Sequence, residues 1–192
     1  MAEVCQGPVI GTDHNALVVV SGALASREVV VTLATSAVTK NQYQGGIMSI
    51  NVTPGLNQSY IIESHPAQTS TTGNVTLTLG SPLRTALTTS TRVALKLNPF
   101  NGIISAPVTT LTAAIVGVCV YPIPSGEYGW WQTKGLATVL SDNSSIILGS
   151  AIEASLSAAS SAALGGTAGT PRIGTALQAK DNGKGIACWL NI

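Results

Sequence analysis

A chain of 192 residues, 45% of them hydrophobic, is long enough for one large domain or two small ones and has the apolar content for a real core, which excludes intrinsic disorder. Only 9% of residues are charged and the formal net charge is +1, whereas an ordinary soluble domain is about 25% charged; the nine basic residues are scattered, which excludes a nucleic-acid face built on clustered cations. Such an exterior must be covered by Ser, Thr, Asn and Gln or by partners, and a total charge near zero favours association.

In chain order, Met1-Ala2-Glu3-Val4 lacks the basic segment and apolar run of a secretory signal, so none is expected. Met1 to Thr12 is a candidate N-terminal arm, and Asp13-His14-Asn15 reads as a polar turn. Helical periodicity is scarce from there on, while short apolar or alternating runs bounded by Gly, Pro, Asn and Ser recur. Strands are predicted at Leu17 to Val20, Glu28 to Leu33, Gly46 to Val52 and Ser59 to Glu63. Val75, Leu77 and Leu79 alternate with threonines, and Val93, Leu95 and Leu97 alternate with Ala94 and Lys96, so each run places three apolar side chains on one strand face. His65, before Pro66, falls in a Ser, Pro and Thr loop and is expected to be exposed.

Ile103 to Val120 is nearly uncharged and about long enough to span a bilayer. Pro107, three threonines, many β-branched residues and the lack of flanking cations favour two buried strands instead, and no membrane contact is expected. Further strands are predicted at Ala114 to Tyr121, Trp130 to Thr133, Leu136 to Leu140, Ile146 to Leu148, Ile173 to Ala179 and Gly185 to Leu190. Ala151 to Ala163 is the one stretch with helical character, weakened by its serines and stopped by Gly165-Gly166. Asn182-Gly183 suits a tight hairpin between the last two strands, and Asn101-Gly102 is a weaker turn candidate. The expected fold is all-β, an antiparallel sandwich or barrel in two β-rich halves. Residues 1–110 form an N-terminal region with the candidate arm, and residues 111–192 form a C-terminal domain, with a seam near Gly102 to Thr112.

No catalytic motif emerges. There is no GxSxG elbow, and the glycines of Gly165-Gly166-Thr167-Ala168-Gly169 lack the lysine of a phosphate loop. Cys5, Cys119 and Cys188 are widely spaced, with no CxxC pair, and are expected to be buried and reduced. Two histidines and three dispersed cysteines make no metal site by spacing. No enzyme, metal or cofactor is expected, unless Asp13, His14, Glu63, His65 or Glu153 meet in one cleft.

The aromatic content is only 4%, yet two of the four tyrosines and two of the three tryptophans fall between Tyr121 and Trp131. Adjacent Trp130 and Trp131 on a strand would face opposite sides, so one is expected to fill a core and the other to need its own cover. Tyr128, Trp130, Trp131, Gln132 and Lys134 are therefore the candidate interface residues.

The run Gly126-Glu127-Tyr128-Gly129-Trp130-Trp131-Gln132-Thr133-Lys134-Gly135 resembles a segment common in structural proteins of tailed bacteriophages, notably capsid decoration or cement proteins. Pro171-Arg172-Ile173-Gly174-Thr175-Ala176-Leu177-Gln178-Ala179, the Asp181-Asn182-Gly183 turn and the ending Ile186-Ala187-Cys188-Trp189-Leu190 are similar to their C-terminal hairpin, so the likeness covers about the last third of the chain. It departs at Trp131, where a smaller apolar residue is more usual. The resemblance implies a protein made in the bacterial cytoplasm and bound, often as a homotrimer, to the major capsid protein on the outside of the virion. It implies no catalytic residue. The alternative is a tail-associated or fibre protein that recognises a host glycan, for which Tyr128, Trp130 or Trp131 would have to be accessible.

Overall fold

The computed structural model describes the chain except residues 1, 10, 12, 143–144, 167–169 and 180–184. Its strands are β1 (Glu3–Gln6), β2 (Leu17–Ser21), β3 (Glu28–Thr32), β4 (Ile47–Val52), β5 (Ser59–Ser64), β6 (Asn74–Leu79), β7 (Arg92–Lys96) and β8 (Ile104–Ser105). They continue as β9 (Ile115–Cys119), β10 (Trp131–Gln132), β11 (Lys134–Leu140), β12 (Ala151–Ala154), β13 (Ala162–Leu164), β14 (Arg172–Ala176) and β15 (Gly185–Asn191). No helix occurs among the described residues, so the protein is all-β, as its alternating sequence requires.

Two compact units divide the chain, one of Ile10–Asn98 and one of Met1–Val9 with Pro99–Ile192. The expected division at residue 110 is thus displaced to the Asn98/Pro99 junction. The N-terminal segment belongs with the C-terminal half, because β1 pairs with β8 and β9. It is not a free arm.

The Ile10–Asn98 unit is a closed antiparallel barrel in the order β2-β3-β6-β5-β4-β7. Closure leaves the ladder no open edge. The alternating runs supply its interior: Val75, Leu77 and Leu79 of β6 and Val93 and Leu95 of β7 are buried together with Val29, Val31, Met48, Ile50, Tyr60 and Ile62, and Leu97 packs against them half-buried.

In the other unit, a four-stranded sheet (β10-β9-β1-β8) and a five-stranded sheet (β11-β15-β14-β12-β13) contribute to one core. Val4 and Val118, directly paired across β1 and β9, join Val139, Ile152, Ile173, Ile186, Cys188 and Leu190 there. The segment given helical character is extended instead. Ile152 and Ala154 point into the core from β12, which pairs with β13 and β14. Between β12 and β13, the Ser155 hydroxyl accepts the backbone N–H groups of Ser157 and Ala158, and the Ser161 hydroxyl donates to the Ala158 carbonyl. These local bonds satisfy the backbone in a way that competes with a helix.

Ile146 is buried but Ile147 and Leu148 are exposed before a turn at Gly149, so the strand predicted there does not form. Ile103 to Val120 yields two strands, of which β9 is mostly buried and β8 is exposed. Asn101-Gly102 turns the chain without closing a hairpin, since β7 and β8 lie in different sheets. The Asn182-Gly183 turn lies outside the described residues.

Candidate functional site

The site is built on the outward face of the four-stranded sheet. Because Val4 and Val118 point to the core, their neighbours Glu3, Cys5 and Cys119 point away from it. Pairing then sets two rows across the strands, Trp131–Cys119–Glu3 and Gly117–Cys5–Ser105. The Ser105 hydroxyl donates to the Glu3 carboxylate at 3.2 Å. Gly117 is what admits the indole: a Cβ there would stand 2.9 Å from the Cβ of Trp131.

Residues 100–105 and 121–128 rise around this floor and enclose a groove of about 650 Å³. In the second wall, the Glu127 N–H donates to the Pro124 carbonyl at 3.1 Å while Gly126 takes a φ of 86°. That is a turn whose third residue needs positive φ. It sends Glu127 and Tyr128 outward. Phe100, Tyr121, Tyr128 and Trp131 provide the rings of the lining, and its only charged side chains among the described residues are those of Glu3 and Glu127.

Of the five residues singled out from sequence, Tyr128 is 99% exposed and Trp130 is 94% exposed. Trp131 is half-buried in β10, and its Nε1 is the one buried side-chain polar atom without a hydrogen-bond partner among the described residues. Burial pushes the Cys5 thiol up, and the indole partly offsets that rise. Gln132 is half-buried and donates from Nε2 to the carbonyls of Lys134 and Leu136, so its role is to hold the chain between β10 and β11. Lys134 is exposed at the start of β11, opposite Asn191. The expected two-sided strand is shorter than predicted: Trp130 lies outside β10, and only Trp131 is seated.

Glu3, Cys5, Phe100, Ser105, Cys119, Tyr121 and Glu127 are not among the interface candidates read from sequence. Their convergence depends on β1 pairing with β9 across more than a hundred residues of chain. Of the cysteines, Cys5 and Cys188 are buried, Cys119 is only partly so, and all three are free.

Of the remaining titratable candidates, His14, His65 and Asp13 gather around Tyr43, and Glu63 and Glu153 stand apart from them. Both histidines are 3% exposed, in contrast to the exposed loop residue expected at His65. In the barrel unit they flank Tyr43, with ring centroids 5.6 and 5.9 Å away. The Tyr43 hydroxyl lies 2.5 Å from His14 Nδ1, and His14 Nε2 faces the Ser36 carbonyl at 3.1 Å. A carbonyl only accepts, so Nε2 carries the hydrogen and Nδ1 accepts from tyrosine. His65 uses Nε2 to accept the Tyr43 backbone N–H at 3.0 Å and donates from Nδ1 to the Pro66 carbonyl. Every ring nitrogen is thereby engaged in holding loops. Asp13, which bonds the Ser36 hydroxyl, adds its charge to burial in raising the Tyr43 phenol. Glu63 is exposed on β5, and Glu153 accepts from the Gly166 N–H. No group of three His, Cys, Asp or Glu side chains suited to a metal occurs among the described residues, and no described helix is long and apolar enough to cross a membrane.

Comparison with known proteins finds no family model, no curated protein and no solved structure that matches this chain.

Proposed function

We propose that this chain is a structural virion subunit, a capsid decoration protein that docks on the outside of a bacteriophage head through the exposed rings of Tyr128 and Trp130. The observation that carries this reading is the near-complete exposure of Tyr128 and Trp130, at 99% and 94%, in a chain that is only 9% charged. Large rings held out from an ordered turn are the side chains that most often anchor an interface, each worth about 2 kcal/mol or more once a partner covers it. The resemblance of Gly126 to Gly135 to decoration proteins points the same way. The partner is the major capsid protein, and the subunit self-associates as a homotrimer.

The test is to mix purified protein with undecorated shells and follow cosedimentation and the temperature of shell disruption. Binding raises that temperature by linkage, and Trp130→Ala and Tyr128→Ala weaken both effects. Failure to bind shells overturns the reading, and sedimentation equilibrium of the free protein decides the trimer.

A second reading, recognition of a host-surface glycan by a tail-associated protein, draws on the same exposure, since open aromatic faces beside carboxylates also suit sugar rings. Binding to host polysaccharide without binding to shells selects it.

A further inference from the structure

The groove has a one-sided chemistry. Among the described residues its lining carries the carboxylates of Glu3 and Glu127 and no lysine or arginine. The same lining includes the rings of Phe100, Tyr121, Tyr128 and Trp131, and aromatic faces attract cations. Repulsion from two carboxylates disfavours an anionic occupant, whereas a guanidinium or ammonium group gains from both carboxylates and rings.

The floor adds a backbone signal. β8 is the edge of the four-stranded sheet, and it lines the groove through Ile104 and Ser105. One side of β8 is bonded to β1 through the pairs Cys5–Ser105 and Gln6–Ile104, and among the described residues no strand lies on the other. An edge of this kind accepts an extended segment by adding it as a further strand, while neighbouring pockets select its alternate side chains. A volume of about 650 Å³ suits one long side chain with its flanking backbone.

We propose that the groove binds an extended, basic segment of a partner chain, laid along β8 with a lysine or arginine side chain between Glu3, Glu127 and the aromatic rings. The inference rests on the reading of this chain as a docking subunit, and it names the chemistry of the shell segment that the subunit holds.

The experiment titrates the full chain with three capped peptides and follows tryptophan fluorescence: Thr-Val-Arg-Val-Thr, the same peptide with norleucine at the centre, and the same peptide with glutamate there. The arginine peptide is expected to bind about tenfold more tightly than the norleucine peptide, the glutamate peptide not measurably, and the difference to shrink in high salt. Glu3→Gln with Glu127→Gln lowers the affinity for the arginine peptide by about tenfold, with an unchanged far-ultraviolet circular dichroism spectrum. Equal binding of all three peptides, or none at millimolar concentration, overturns the proposal. So does binding of a neutral dextran oligosaccharide by the groove while the peptides stay silent. Shell binding that survives in the double variant without any peptide binding sinks the groove inference and leaves docking intact; peptide binding without shell binding does the reverse.

Discussion

The imidazole of His65 accepts the backbone N–H of Tyr43 at 3.0 Å, and both residues are buried. Removing the acceptor strands a buried donor, which costs about 1–3 kcal/mol. His65→Leu is therefore expected to lower the stability of the barrel unit by about that amount in urea denaturation. Tyr43→Phe removes the hydroxyl that faces His14 and is expected to cost about 1–2 kcal/mol. An unchanged midpoint for both would mean that these bonds carry no stability.

The two adjacent indoles are expected to respond in opposite ways. Trp130→Ala leaves the stability of the isolated chain within about 0.5 kcal/mol, because the ring is already in solvent. Trp131→Ala empties a half-buried seat over Gly117 and costs about 2–3 kcal/mol. Trp131→Phe deletes the unpartnered Nε1 donor while keeping a ring, and is expected to fall within about 1 kcal/mol of the parent. Thermal melts of the three variants separate these outcomes.

Gly117→Ala tests how the groove floor is built. The added methyl would stand 2.9 Å from the Trp131 Cβ and 3.2 Å from the Gln132 carbonyl oxygen. Neither is the free end of a flexible side chain, so β9 and β10 must separate, at a cost of about 1–3 kcal/mol. Tryptophan emission shifts to the red as Trp131 is displaced, and an unshifted spectrum would refute this account of the seat.

Alkaline pH should weaken the fold through its buried thiols. Burial pushes the Cys188 thiol from 9.0 up to about 11. The native state therefore holds its proton after the unfolded chain has released it. The corresponding stability is fully present below pH 9.0 and is lost as pH rises toward about 11. The whole loss is on the order of 2–3 kcal/mol. Cys5 and Tyr43, both raised chiefly by burial, act in the same direction. Urea midpoints measured across this range should fall less steeply in Cys188→Ala than in the parent. Equal slopes would remove Cys188 as a cause.

Local pattern made much of the fold legible. A period of two at Val75, Leu77 and Leu79 marks a strand with one buried face whatever its neighbours, and β6 follows it residue for residue. The Ala151 to Ala163 segment misled because alanine favours a helix when nothing else decides. Here the hydroxyls of Ser155 and Ser161 bind the backbone locally, and β14 offers β12 a partner. His65 looked exposed because its neighbours are polar, yet burial depends on Asn41 and Tyr43 returning to it.

The sequence by itself determined an all-β chain, nearly free of charge, with its aromatic rings concentrated around Tyr128 and Trp130, because alternation and composition are properties of consecutive residues. Only the tertiary structure decided that Glu3 and Cys5 stand beside Cys119 and Trp131, that Ile10–Asn98 closes as a barrel of its own although it interrupts the other unit in sequence, and that Trp131 is seated while Trp130 is not. The reason is physical: ladder pairing joins residues far apart in the chain, and which strands pair is chosen by the whole set of competing edges and faces, which no single segment encodes.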